Sequence, residues 1–283
     1  MTDLTLGLTA MLTDETISPM ELAVEAEARG FSSLFLPEHT HIPVSRDTPH
    51  PLAATLPREY ARTLDPFVAL TSAAAATSTI RVGTGICLLA ARDVLITAKE
   101  VATLDLCSGG RFVLGVGYGW NREELADHGV AWEHRRAVTH EKVTALRSLW
   151  ADEQASHDGE HVRFAPTFSW PKPQAGSVPI WFGSGAGPKG LAAAARHADA
   201  WMPHGTKGVA EALPALAAAC DDVGRDPADV AVVPFGVLPT EGKLDHLVGL
   251  GITEVVALIT SVARDDALAQ LDAIKATWDR WLG

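Results

Sequence analysis

Positive charge is scarce in this chain. Lys and Arg together number 23 against 35 Asp and Glu, a formal net charge of −12 over 283 residues. Nucleic-acid backbones and anionic membrane surfaces are met by clustered Lys and Arg, so neither is an expected partner; a local basic spot for one phosphate stays open. Cysteine is scarce too: Cys87, Cys107 and Cys220 show no paired or metal-type spacing. Two of them lie in apolar or helical contexts, and they read as buried thiols in a reducing compartment. No run of ~18 uninterrupted apolar residues suggests a membrane span. The opening MTDLTLGLTA lacks the basic start and apolar run of a signal peptide, so a cytoplasmic protein is expected.

Apolar residues, by contrast, are abundant at 47%, enough for a large core. The length suits a single α/β barrel, which commonly runs to about 250 residues. Strand-like and helix-like stretches alternate along the whole chain. Strands are predicted at 4–8, 33–36, 80–86, 111–116, 179–182, 200–202, 229–235 and 254–259. The first helix announces both ends: Ser18 as N-cap, Pro19 at the first helical position, Glu21 completing a capping box, and Gly30 past the end. Asp65-Pro66 opens the next helix, a third runs from about Asp93 to a stop at Gly109-Gly110, and helix covers much of 121–150 in two pieces around Gly129. Irregular insertions are predicted at 40–64 and 158–178. About eight βα units predict one domain, a (β/α)8 TIM barrel with insertions after strands 2 and 4. A doubly wound dinucleotide fold would need a glycine fingerprint after the first strand, where this chain has Thr9-Ala10-Met11.

A parallel barrel puts its chemistry at the carboxyl ends of its strands. Strand two ends in Glu38-His39-Thr40-His41, strand three in GTGIC (83–87), strand four in GVGYGWN (115–121) and strand five in GSGAGP (183–188). One glycine there means only a tight turn, but three such ends on one rim leave bare backbone beside helix N-termini. That suits a phosphate or a flat ring. The phosphate is expected first at Gly183, Ser184 and Gly185, ahead of the helix at Pro188, and second at Gly117, Tyr118, Gly119, Trp120 and Asn121.

The segments LPEHTHIPVSRDTP, LPREYARTLDPFVAL, VGTGICLL, AKEVATLDLCSGGRFVLGVGYGWNREE and SWPKPQ resemble the luciferase-like flavin and deazaflavin oxidoreductases, in particular the actinobacterial branch that depends on coenzyme F420. The resemblance spans nearly the whole chain. It implies a TIM barrel that holds a deazaflavin, or alternatively FMN, at the strand ends, with hydride passing to or from the ring. It implies a cis peptide without proline at Gly85-Ile86, with Ile86 facing the ring. It places His39 over the reacting carbon as a proton carrier, a role that fits an imidazole, with Glu38 either orienting it or pointing away. Family members are often dimers, and a homodimer is implied, although the residues reveal no interface. Sugar-phosphate dehydrogenases of the family carry a glutamate just after the strand-four glycines. Trp120 stands there instead, which points to a flatter or more apolar small molecule, with Tyr60 and Trp170 as further wall candidates.

Three rival readings remain open. An FMN-dependent monooxygenase shares the fold, and a relative without activity would bind a flavin-like ligand or nothing. A metal-dependent hydrolase would use His39 and His41 as ligands, since alternate strand residues face one way. Those enzymes carry the pair on the first strand and an aspartate after the last; here it follows the second, and ALITSVAR supplies no timely Asp. No metal is expected.

Overall fold

Local signals set most of the helix starts. The computed structural model describes residues 4–51, 53–260 and 263–279; residues 1–3, and Ser261 and Val262 of the ALITSVAR segment, lie outside that set. The chain runs β1 (Thr5–Ala10), α1 (Pro19–Ala28), β2 (Ser33–Leu36), α2 (Pro66–Ala76), β3 (Arg81–Thr84), α3 (Val94–Ser108), β4 (Phe112–Val116), α4 (Arg122–Asp127) and α5 (Arg135–Ala151). It continues with β5 (Ala155–Asp158), β6 (Arg163–Thr167), β7 (Ile180–Gly183), α6 (Pro188–His197), β8 (Ala200–Met202) and α7 (Val209–Asp221). Then follow β9 (Ala231–Val232), β10 (Phe235–Val237), α8 (Glu241–Gly249), β11 (Glu254–Ile259) and α9 (Arg264–Trp278). Ser18, Asp65, Asp93 and Asn121 each accept a first-turn N–H, so α1, α2, α3 and α4 start at capped positions. Gly109 and Gly110 end α3 in the left-handed region, with φ of 70° and 81°.

The strands pair in the order β10-β11-β1-β2-β3-β4-β7-β8-β9, every pair parallel. β9 and β10 are two pieces of the predicted 229–235 strand, parted at Val233-Pro234, where proline has no N–H for a ladder. One piece pairs with β8 and the other with β11, and Val256 N donates to Pro234 O at 2.9 Å. This broken strand closes the sheet, and the predicted (β/α)8 barrel follows. Phe35, Val113, Trp181, Met202 and Val256 fill the barrel's interior, while a larger apolar layer lies between sheet and helices.

Two details differ from expectation. The insertion before β7 is not wholly irregular: β5 and β6 form an antiparallel hairpin, its turn held by Glu141 of α5, which accepts from His161 N and Val162 N. Cys87 and Cys220 are buried as expected, but Cys107 is exposed on α3. Among the described residues no helix is long and apolar enough to cross a membrane.

Candidate active site

Successive residues leaving β2 face opposite ways, and this separates Glu38 from His39. Glu38, 3% exposed, accepts from Leu88 N at 2.6 Å and from Arg92 Nε at 2.6 Å. Arg92 in turn reaches Asp65 at 3.0 Å and Glu100 at 2.9 Å and lies over Phe67. Burial alone would lower the pKa of this guanidinium; the charge and hydrogen bond of Glu38 outweigh that and raise it. Glu38 therefore anchors the strand-two end to the segment after β3. It does not touch His39, so of the two alternatives the sequence left open it takes the one that points away.

The carboxylate on His39 is Glu124. His39 Nδ1 lies 2.7 Å from Glu124 Oε2, with side chains 6% and 1% exposed. The other oxygen, Oε1, accepts from Thr40 N at 3.1 Å. A carboxylate can only accept, so the proton sits on Nδ1 and Nε2 is the free nitrogen. Sequence reading missed Glu124, although a signal was present: Asn121-x-x-Glu124 is the spacing of a helix start. Asn121 Oδ1 takes the Glu124 N–H as N-cap, and the cap seats the carboxylate on the rim of β4.

The long insertion after β2 folds back over this pair. Tyr60 stands 5.3 Å and Trp120 5.7 Å from the His39 ring, centre to centre, and His50 lies 4.7 Å from Tyr60 and 5.3 Å from Trp120. Arg46 sits over Trp120. Glu123 clamps the insertion down, accepting from Asp47 N and Thr48 N; hydrogen bonding from Thr48 and these amides holds its carboxyl at about 2. Burial lowers the His50 pKa, assisted by the charges of Arg46 and His39, and burial raises that of the Tyr60 phenol. Trp120 and Tyr60 thus line the His39 site. His50 was missed, since nothing marks a lone histidine in an irregular stretch. Trp170 does not join the wall: it is 57% exposed, Lys172 lies over its ring, and Lys99 of α3 holds its carbonyl. His41 turns away from His39 to Asp127 at 2.9 Å, so the two histidines do not converge. Among the described residues no group of three or more His, Cys, Asp or Glu is arranged to hold a metal.

The rim continues through the glycine turns. The Gly85-Ile86 peptide is cis, as the resemblance implied. A Cβ on Gly117 would meet the Ile86 side chain at 2.8 Å and one on Gly183 would meet it at 2.7 Å. These glycines make room for Ile86, which spans the ends of β4 and β7. Tyr118 faces outward: its ring is buried against Phe182, its hydroxyl is 2.6 Å from His140 Nε2, and Arg136 stacks on it. Its predicted place on the cofactor is corrected accordingly. Gly119 takes φ 71° to turn the chain toward Trp120.

Beyond β7 the backbone opens. Nothing lies within 4 Å of a Cβ built on Gly185 or Gly187. The N–H groups of Gly185, Ala186 and Gly187 meet no acceptor among the described residues, and Gly187 leads into α6 with no side-chain cap. Two buried polar atoms on this rim have no partner, Asn121 Nδ2 and Ser184 Oγ. Buried donors are nearly always paired, so these two mark places a ligand would satisfy. His39 follows β2 and Ser184 follows β7, strands three spacings apart, roughly 14 Å along the sheet, with Ile86 and Asn121 after the strands between. The orphaned polar atoms and the bare turn on this one rim suit a flat ring that carries a phosphate. A cavity of about 540 Å³ lies elsewhere, between the segment after β3 and α5, lined by Arg92, His128, His134, Lys142 and His161. That cavity includes neither the His39–Glu124 pair nor the orphaned donors in its lining.

The profile of the luciferase-like monooxygenase family matches residues 14–240. An uncharacterized protein of Mycobacterium tuberculosis H37Rv is 40% identical over 275 residues, covering 95% of this chain and 97% of that one. Among solved structures, a monooxygenase from Streptomyces bottropensis aligns with a TM-score of 0.78 at 19% identity, over 98% of this chain and 99% of the other. An F420-dependent secondary alcohol dehydrogenase, solved with an F420–acetone adduct, gives a TM-score of 0.76 at 19% identity, over 97% and 98%. At that identity the two structures speak for the fold alone; the profile match, over most of the chain, speaks for descent. The chain belongs to the luciferase-like monooxygenase family.

Proposed function

We propose that this protein is an oxidoreductase that passes hydride between coenzyme F420 and a small organic substrate, with His39 moving the accompanying proton. The single observation that carries the reading is the buried His39–Glu124 pair at 2.7 Å on the same rim as the orphaned Asn121 and Ser184 donors. The deazaflavin, when bound, supplies a two-electron hydride donor and acceptor. The protein's own part is positional. Glu124 holds the Nδ1–H tautomer, so that Nε2 is the nitrogen that exchanges a proton with a substrate oxygen. Trp120 and Tyr60 wall the substrate side and favour an apolar or flat molecule with one oxygen function, such as a secondary alcohol or its ketone. The backbone of residues 183–187 and the start of α6 would hold the phosphate.

Parallel titrations with F420 and FMN, followed by fluorescence, test the cofactor. The expected result is submicromolar F420 binding with FMN at least ~10-fold weaker, a difference of about 1.4 kcal/mol. Tight FMN binding without F420 binding would replace this reading by the flavin monooxygenase one. Loss of F420 absorbance on mixing with a panel of secondary alcohols tests the hydride step.

A further inference from the structure

One cavity outside the rim is built from cations. Between α5 and α6 a groove of about 250 Å³ is lined by Arg136 and His140 from α5, and by Lys189, Arg196 and His197 from α6. Ala192 and Ala193 complete the lining, and no carboxylate contributes to it. In a chain with 35 acidic and 23 basic residues, this is a local inversion of charge. None of Arg136, Lys189 and Arg196 forms a salt bridge among the described residues, and Arg136 Nη1 is buried without an acceptor. The two imidazoles report the same field. Burial, then the charges of His140, Arg196 and Arg147, hold His197 at about 4, and burial with Arg136 and Arg196 lowers His140. Three cations and two neutral rings facing one void, with no counter-charge, is an arrangement completed by an anion from outside.

Position says which anion. Lys189 follows Pro188 directly, so the groove begins where the bare 183–187 turn ends. Lys189, Ala192, Ala193 and Arg196 lie on one face of α6, and the seven-residue step from Lys189 to Arg196 runs roughly 10 Å down the helix. That length matches about three residues of extended peptide. The alanines leave the floor low, and the cations sit along its length rather than around one point. A line of charges of this kind suits a chain of carboxylates better than a single phosphate.

We propose that the α5–α6 groove binds the acidic glutamate tail that F420 carries beyond its phosphate, led over the rim by Lys189 and held by Arg136 and Arg196. This rests on the cofactor reading above. It adds a second site, on the outer wall of the barrel, that has no contact with the reacting ring.

The test uses the full-length protein and two ligands with the same ring and phosphate, one bearing the glutamate tail and one lacking it. Dissociation constants are read by fluorescence at low salt and at 0.5 M salt. The tailed form should bind about tenfold more tightly at low salt, and high salt should remove most of the difference because exposed charge pairs are screened. Arg196→Glu, a groove position remote from the phosphate turn, should abolish the preference while leaving affinity for the tailless form unchanged. Equal affinity for the two forms in the wild type would overturn the groove proposal and leave the cofactor reading standing. Failure of both forms to bind would overturn the groove proposal and the cofactor reading together. Loss of tailless binding in Arg196→Glu would show a damaged fold, and Lys189→Gln with Arg136→Gln would then have to erase the tail preference; its persistence there would sink the idea.

Discussion

Glu124→Gln separates the two jobs of this carboxylate by changing almost nothing else. The side chain keeps its shape, but one acceptor oxygen becomes an NH2. Glu124 currently accepts one hydrogen bond on each oxygen, from His39 Nδ1 at 2.7 Å and Thr40 N at 3.1 Å. Glutamine can serve only one of these donors with its oxygen. Thr40 N has a fixed proton and no alternative, whereas an imidazole can move its proton to the other nitrogen. The amide oxygen should therefore keep Thr40, its NH2 should face Nδ1, and the His39 proton should shift to Nε2. A hydrogen bond to a charged partner is worth about 1.5–3 kcal/mol. If that whole interaction serves the proton step, hydride transfer slows roughly 10- to 150-fold, at one decade per 1.36 kcal/mol. Two measurements check this. Long-range 15N–1H correlation spectra of the free protein report the His39 tautomer without any substrate, and should change from Nδ1–H to Nε2–H. Single-turnover oxidation or reduction of the bound cofactor should lose rate, while the cofactor's Kd stays within a few-fold. An unchanged Nδ1–H tautomer in the variant would refute the assignment of Glu124 as the group that sets it.

Three further outcomes are expected. His39→Ala should keep cofactor binding within a few-fold and lower turnover by ~10²-fold or more, as for a lost general acid; a variant that loses affinity but turns over normally when saturated would make His39 a binding residue. Gly185→Val should fill the open cradle before α6 and weaken cofactor binding, read by fluorescence titration, without unfolding, because nothing lies within 4 Å of its Cβ; unchanged affinity would move the phosphate to the 117–121 turn. Glu27 accepts from Ser78 N, Thr79 N, Thr79 Oγ1 and Ile80 N; burial raises its pKa, but these bonds outweigh that and bring it from 4.5 to about 2. A carboxyl depressed on folding stabilises above its unfolded pKa and loses that contribution as pH falls through the folded one. Glu27→Gln should therefore melt below the wild type at pH 6, and the two Tm values should converge between about pH 4.5 and 2; a constant gap across that window would contradict the linkage.

What could be read from sequence was what is decided locally. A cap needs only its own residue and the three that follow, so Ser18, Asp65 and Asp93 announced their helices, and each accepts the expected N–H. Buried parallel strands are short and apolar on both faces, and 33–36, 200–202 and 254–259 were predicted to the residue. The errors came where long-range pairing overrides local preference. Pro234 interrupts a continuous apolar run because it has no N–H for the ladder, and the interrupted strand still pairs toward β8 on one side and β11 on the other, which closes the barrel. The β5–β6 hairpin was hidden by its own turn residues; it is held in place by Glu141, a residue from a helix earlier in the chain.

The site divides along the same line. His39 and Trp120 sit at strand ends, and any barrel brings strand ends together, so topology alone made them visible. Glu124 looked like one of two acidic residues in a helix's first turn, where negative charge is favoured by the helix dipole and usually faces water. Its neighbour Glu123 is only partly buried and clamps backbone amides; Glu124 is 1% exposed and meets a histidine 85 positions earlier. Only the rotation of α4 against the end of β2 distinguishes them, and no sequence period encodes that rotation. The glycines teach the converse. Gly117 and Gly183 read as bare backbone for a ligand, yet each is small because Ile86 presses on it, whereas Gly185 and Gly187 stand open. Absence of a side chain has two opposite causes, a neighbour already there or space kept for one to come, and only the second describes a binding site. Adding a methyl to Gly117 should therefore disturb packing first and ligand affinity through it. At Gly185 the order reverses, and affinity should fall in a protein whose fold is untouched.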